Sequence, residues 1–114
     1  MSDKELLELA AKAAGYEDID FECEVKYYAK GYDENGAVIA WWNPLTDDGD
    51  ALRLAVKLEL LIDAIGISAG VRYSSENGYD VWLYEKHENH NNDPYAATRR
   101  AIVRAAAEIG RGME

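Results

Sequence analysis

Residues 46–70 read "TDDGDALRLAVKLELLIDAIGISAG", and how far a helix runs along this stretch decides the fold. Thr46 is placed to accept a backbone N–H as N-cap, with Asp47, Asp48 and Asp50 in the first turn. Carboxylates there complement the positive end of the helix dipole. Ala51, Leu54, Ala55, Leu58, Leu61, Ile62 and Ile65 share one broad arc at helical spacing, while Leu52, Val56 and Leu60 form a second stripe roughly opposite. A helix so patterned either runs on between two packing partners or ends near Leu58 and hands over to a strand. Glycine favours the position just past a helix end, so Gly66 as stop predicts a helix over 47–65. Its second stripe then lies under a neighbouring element or serves as a homo-oligomer contact.

Immediately upstream, "WWNPL" (41–45) reads as a strand ending in the core and then a turn. Pro44 sits where no ladder hydrogen bond is required. The three aspartates invite a calcium reading, but an EF-hand loop needs D-x-[DN]-x-[DN]-G and a distant glutamate, and the spacing does not match.

Working outward, "FECEVKYY" (21–28) alternates: Phe21, Cys23, Val25 and Tyr27 point one way, Glu22, Glu24 and Lys26 the other. Asn35-Gly36 is a hairpin turn signal, and "AVIAWW" (37–42) follows as a strand covered on both faces. A second hairpin is predicted from "ISAGVRYS", the turn "SENGYD" with Asn77-Gly78, and "VWLYEK" (67–86). At the N-terminus, Ser2 and Glu5 form a capping box before a helix that buries Leu6, Leu9, Ala10, Ala13 and Ala14 and stops at Gly15. At the C-terminus, Asp93-Pro94 opens a helix that buries Tyr95, Ile102, Ala105, Ala106 and Ile109 and closes at Gly110. Arg100, Arg104 and Arg111 line its outer face, and Arg104 and Glu108 have the i,i+4 spacing of a helix ion pair. Arg99 lies at the edge of the apolar arc and must snorkel outward or meet a carboxylate; an ion pair with the aspartates before the second helix is the expectation. The fold class read from this order is α+β: α-β-β-α-β-β-α, a small antiparallel sheet of roughly four strands from two hairpins, covered by three helices.

With 114 residues and 48% hydrophobic side chains, the chain suffices for one domain, 1–114, with a proper core. The lone Cys23 excludes an intramolecular disulfide and suits a reducing compartment. No apolar run approaches the roughly 20 residues that span a bilayer, and "MSDKELLELA" lacks signal-peptide form. A soluble protein of the cytoplasm is expected. The net charge of −10 is uneven: residues 1–50 carry 4 basic and 13 acidic side chains, residues 51–114 carry 8 and 9. Such a field opposes nucleic acid, whose affinity rests on phosphate neutralisation, and favours a basic partner or plain solubility.

Signatures of catalysis are missing. There is no nucleophile elbow, no phosphate loop and no H-E-x-x-H. His87 and His90 in "HENHNND" lack matched thiolate or carboxylate ligands and read as a solvated polar loop. No catalytic residue, metal or cofactor is therefore assigned.

Three segments resemble small bacteriophage proteins of the α/β/α-sandwich (ABA-sandwich) family: "WWNPLTDDGDALRLAVKL", the aromatic hairpin after it, and "DPYAATRRAIVRAAAEIG". The opening "MSDKELLELAAKAAGY" is similar too, while "ELLIDAIGISAG" is longer than the family pattern. The resemblance implies a sheet with helices on both faces, encoded by a phage or prophage and acting in the bacterial host cytoplasm. It brings no activity that transfers residue by residue. Together with the acidic first half, it points to a non-enzymatic accessory protein that binds and modulates a host protein, including a defence protein. Glu22, Glu24, Tyr28, Tyr32 and Trp82 are the candidate contacts. The alternative is a small-ligand binder, such as a sponge for a nucleotide-like immune signal, with Trp41 or Trp42 stacking on a base and Arg99, Arg100 and Arg104 neutralising phosphate.

Overall fold

The computed structural model describes residues 2–20, 28–30, 42–64 and 66–113, the side chains of 17–20 and 28–30 excepted. Helix α1 spans Asp3–Ala14. Ser2 Oγ accepts the Glu5 N–H at 3.2 Å, and Gly15 ends the helix in the left-handed region at φ 79°. Leu6, Leu7, Ala10, Ala11 and Ala14 are buried. The buried stripe is thus rotated from the expected one, with Leu7 and Ala11 at its centre and Leu9 and Ala13 at its margin.

Strands β1 (Glu17–Asp20) and β2 (Tyr28–Lys30) pair antiparallel, Glu17 opposite Lys30 and Asp20 opposite Tyr28. The expected strand over 21–28 meets this pair only at Tyr28. Its remainder, the Asn35-Gly36 turn and all of 37–42 except Trp42 lie outside the described residues.

Helix α2 covers Asp48–Lys57, which corrects the expected helix over 47–65. Its end is made by the backbone alone: Leu58 N–H donates to Leu54 O, Leu60 N–H to Ala55 O, and Glu59 takes φ 55° between them. A non-glycine residue thus supplies the left-handed stop. Strand β3 (Leu61–Asp63) follows and pairs with β4 (Ser68–Ser74), Leu61 opposite Arg72, Ile62 opposite Val71 and Asp63 opposite Gly70. Gly66, at φ 88°, lies in the connection between these strands and caps no helix. At its start, the cap is Asp47, whose Oδ2 accepts from Asp50 N–H at 2.8 Å. Thr46 instead belongs to the preceding turn, its N–H donating to Asn43 O at 3.2 Å. The second stripe is split: Leu52 and Val56 are 60% and 69% exposed, whereas Leu60 is partly buried against the core.

Strand β5 (Asp80–Lys86) completes a three-stranded antiparallel sheet of order β3-β4-β5. The β4–β5 hairpin forms as expected, with Gly78 at φ 81° and Ser75 N–H donating to Tyr79 O at 2.7 Å. A 3₁₀ turn over His87–His90 leads to helix α3, Pro94–Gly112. Asp93 Oδ1 caps it, accepting from Tyr95 and Ala96 at 2.9 and 3.3 Å, with Pro94 in the first turn.

The architecture is α+β, with three helices and five strands in two antiparallel sheets among the described residues rather than roughly four strands in one. Helix α3 is the hub, packing against β4 and β5 as well as α1 and α2. It buries Ala97, Ala101, Ile102, Val103, Ala105, Ala106, Ala107 and Gly110. Tyr95, expected inside, is exposed, and the buried face of α3 begins at Ala97. Gly110 does not close the helix, which continues to Gly112; it is where α1 touches α3.

Candidate functional site

The β3–β4–β5 register sorts side chains onto two faces, since successive residues alternate. Ile62, Ala69, Val71, Tyr73 and Leu83 belong to or pack against the core. The opposite face carries the cross-strand rows Leu61–Arg72–Trp82 and Asp63–Gly70–Tyr84. Its apolar members are open to solvent: Leu61 46%, Trp82 37% and Tyr84 58% exposed. Helix therefore covers one face of this sheet among the described residues, where the family resemblance implies two.

Trp82 and Tyr84 lie two apart on β5, so their rings share a face, and they stack with centroids 6.0 Å apart at 15°. Gly70 opposite makes room for this. A Cβ there would come within 2.9 Å of the Tyr84 ring and 3.4 Å of Trp82. The rings lie over the glycine and form a broad aromatic plate. Arg72 and Asp80 flank it as an ion pair at 3.7 Å, and Ser74 Oγ donates to Asp80 Oδ1 at 3.4 Å.

The other candidate residues are distributed differently. Glu22, Glu24, Tyr32 and Trp41 lie outside the described residues, and Tyr28 is in β2 with its side chain outside the description. Trp42 is 3% exposed and meets Tyr16 edge-on, with ring centroids 5.3 Å apart at 87°. An indole so enclosed has no free face for a base. Pro44, beside it, is also fully buried. Asn43 N–H donates to Asp50 Oδ2 at 2.9 Å and Asp50 pairs with Arg53 at 2.7 Å, so this carboxylate both ties the turn to α2 and holds Arg53 more firmly charged.

The three arginines are engaged with acceptors. Arg99 donates from Nε to Leu45 O at 2.9 Å and from Nη1 to Asp48 Oδ1 at 2.7 Å, which is the expected tie to the aspartates of α2. Arg100 pairs with Asp3 at 2.9 Å. Arg104 pairs with Glu85 rather than with Glu108, which meets Arg111 at 3.5 Å. Glu85 also accepts from His90 Nε2 at 2.8 Å, with Arg100 Nε 4.0 Å away. These charges cancel one another locally, so an incoming phosphate would have to displace carboxylates. The histidine turn is also less solvated than its sequence suggests: His90 is drawn onto Glu85, and His87 Nε2 is buried without a hydrogen-bond partner among the described residues.

Two open depressions border α3. One, of about 360 Å³, is lined by Leu6, Leu83, Glu85, Arg100, Arg104 and Glu108. The other, of about 540 Å³, lies between the β4–β5 turn and the end of α3, against Tyr73, Glu108 and Arg111. Burial pushes the Tyr73 phenol up, and Glu108 adds to this while Arg111 opposes it.

No family model, curated protein or solved structure matches the chain. Among the described residues no group of three or more His, Cys, Asp or Glu is placed to hold a metal ion, and no helix is long and apolar enough to cross a membrane.

Arg99 supplies a first quantitative test. Arg99→Ala removes a charge-assisted bond to a partly buried backbone carbonyl and should cost about 1–2 kcal/mol. Asp48→Asn, on a mostly exposed carboxylate, should cost only about 0–0.5 kcal/mol. Urea unfolding of both variants measures the difference, and equal losses would place the stabilisation in the ion pair instead.

Proposed function

We propose that this chain is a non-enzymatic binding protein whose contact surface is the aromatic plate on the open face of β3–β4–β5. The observation that carries this reading is the stacked, exposed Trp82–Tyr84 pair over Gly70. Tyrosine and tryptophan present large, rigid, amphipathic area at little entropic cost, which is why they dominate protein contact sites. Aromatic sheet faces also bind single-stranded nucleic acid, but a chain of net charge −10 repels phosphate. The same charge favours a partner with a basic surface.

The likeness of three segments to phage ABA-sandwich proteins supports a phage or prophage origin. The partner is then a host protein in the bacterial cytoplasm, and modulation of that protein, including a defence protein, is the activity. Glu22 and Glu24 add the acidic component of the contact. The test is capture of the host partner by wild-type and variant chains. Trp82→Ala/Tyr84→Ala should weaken capture at least about a hundredfold if the pair is the hot spot, and Glu22→Lys/Glu24→Lys should slow association with a reduced salt dependence. Undiminished capture by the aromatic double variant would sink the proposal.

A further inference from the structure

Strand β5 reads "DVWLYEK" from Asp80 to Lys86 and, among the described residues, forms one edge of its three-stranded sheet. The ladder fixes which backbone groups that edge presents. His87 N–H donates to Ile67 O at 2.9 Å and Ser75 N–H to Tyr79 O at 2.7 Å, and both pairs continue the β4–β5 register at its ends. Hydrogen-bonded and non-hydrogen-bonded pairs alternate along antiparallel strands. Val81, Leu83 and Glu85 therefore turn their backbone N–H and C=O toward β4, while Asp80, Trp82, Tyr84 and Lys86 turn theirs outward. The bond from Arg104 to the Tyr84 carbonyl agrees, since that helix side chain reaches it from outside the hairpin.

We propose that the outer edge of β5 pairs antiparallel with β5 of a second copy of this chain, about a two-fold axis at Leu83. The occupant is specified by the strand's own charges. Read against itself in this register, Asp80 falls opposite Lys86 of the second copy, Trp82 opposite Tyr84, and Leu83 opposite itself. Every outward-facing residue meets an outward-facing residue, and both ends of the strand pair opposite charges, which is the favourable cross-strand arrangement. Registers shifted by two residues lose this match. One sets Asp80 opposite Tyr84, and the other sets Asp80 opposite Glu88. The Tyr84 carbonyl has a second lone pair, so the Arg104 contact and an interchain bond fit together. An isologous contact of this kind closes on itself and protects an edge that would otherwise template open-ended pairing.

The pairing leaves the outer face of the sheet open and sets two Trp82–Tyr84 stacks side by side. It does not depend on the partner proposed above. The net charge of −10 per chain opposes self-association at low ionic strength, and physiological salt, with a screening length of about 8 Å, removes most of that repulsion.

Sedimentation of the pure chain at high micromolar concentration in physiological salt should give twice the 12.7 kDa chain mass. Lys86→Asp, which sets like charges opposite each other at both strand ends, should raise the dimer dissociation constant at least about tenfold. The exchange Asp80→Lys/Lys86→Asp should restore pairing, with circular dichroism confirming that each variant folds. In the unmodified chain, amide exchange at Trp82, Tyr84 and Lys86 should slow at least about tenfold on raising concentration, whereas Val81 and Leu83 should not change. A chain that stays monomeric, or outward amides insensitive to concentration, would overturn the proposal. So would a dimer untouched by Lys86→Asp but abolished by Leu52→Ser/Val56→Ser, because that dimer is held through α2.

Discussion

Gly110→Ala should destabilise the protein by about 3 kcal/mol and lower its Tm by about 10 °C. Intrinsic helix preference argues the other way, since alanine exceeds glycine by about 1 kcal/mol inside a helix. Geometry decides the sign. A Cβ on Gly110 would lie 2.8 Å from the Leu9 carbonyl carbon and closer still to its oxygen. These are backbone atoms of α1, so no rotamer change relieves the overlap, and α1 must move off α3. Gly112 is the control, because the nearest atoms to its Cβ would be those of the Glu76 side chain, at 3.4 Å and beyond, with no backbone in the way. Gly112→Ala should be neutral or slightly stabilising. Thermal and urea unfolding of the two variants measure the contrast. A Gly110→Ala protein as stable as the parent would mean that the two helices do not approach as described.

Leu7→Ala should cost about 3–4 kcal/mol, toward the upper part of the range for buried leucine truncations. Leu7 is fully buried, and eleven of the eighteen buried residues of its cluster are alanine. Alanine has no rotamers with which to move into a vacated volume, so the cavity persists and its lining loses dispersion contacts. Leu54 and Val71 are large residues equally buried, and they lie on α2 and β4. The loss should appear as a lower urea midpoint with an unchanged slope. A cost below about 1 kcal/mol would mean that the site collapses, which tight helix contacts of this kind should resist.

Local chemistry in the sequence determined the helix starts at Ser2 and Asp93-Pro94, the Asn77-Gly78 hairpin, the α+β class and the tie from Arg99 to the start of α2. Each depends on a few adjacent residues or on one charge at the rim of an apolar arc, and such signals survive without tertiary information. The end of α2 was decided elsewhere. Leu58, Leu60, Leu61 and Ile62 fit a helix interior as well as a strand, and pairing with β4 draws Leu61–Asp63 into a strand, with Glu59 accepting the left-handed turn. Gly110 reads like a helix stop until α1 is placed against it. The sequence marks Trp82 as a candidate exposed aromatic, as it is, but does not single out Tyr84 beside it, although a residue two positions along a strand shares its face. The plate itself depends on Gly70 opposite. Periodicity says which residues of one element share a side; what lies across from them is fixed by long-range pairing, and that exists only in three dimensions.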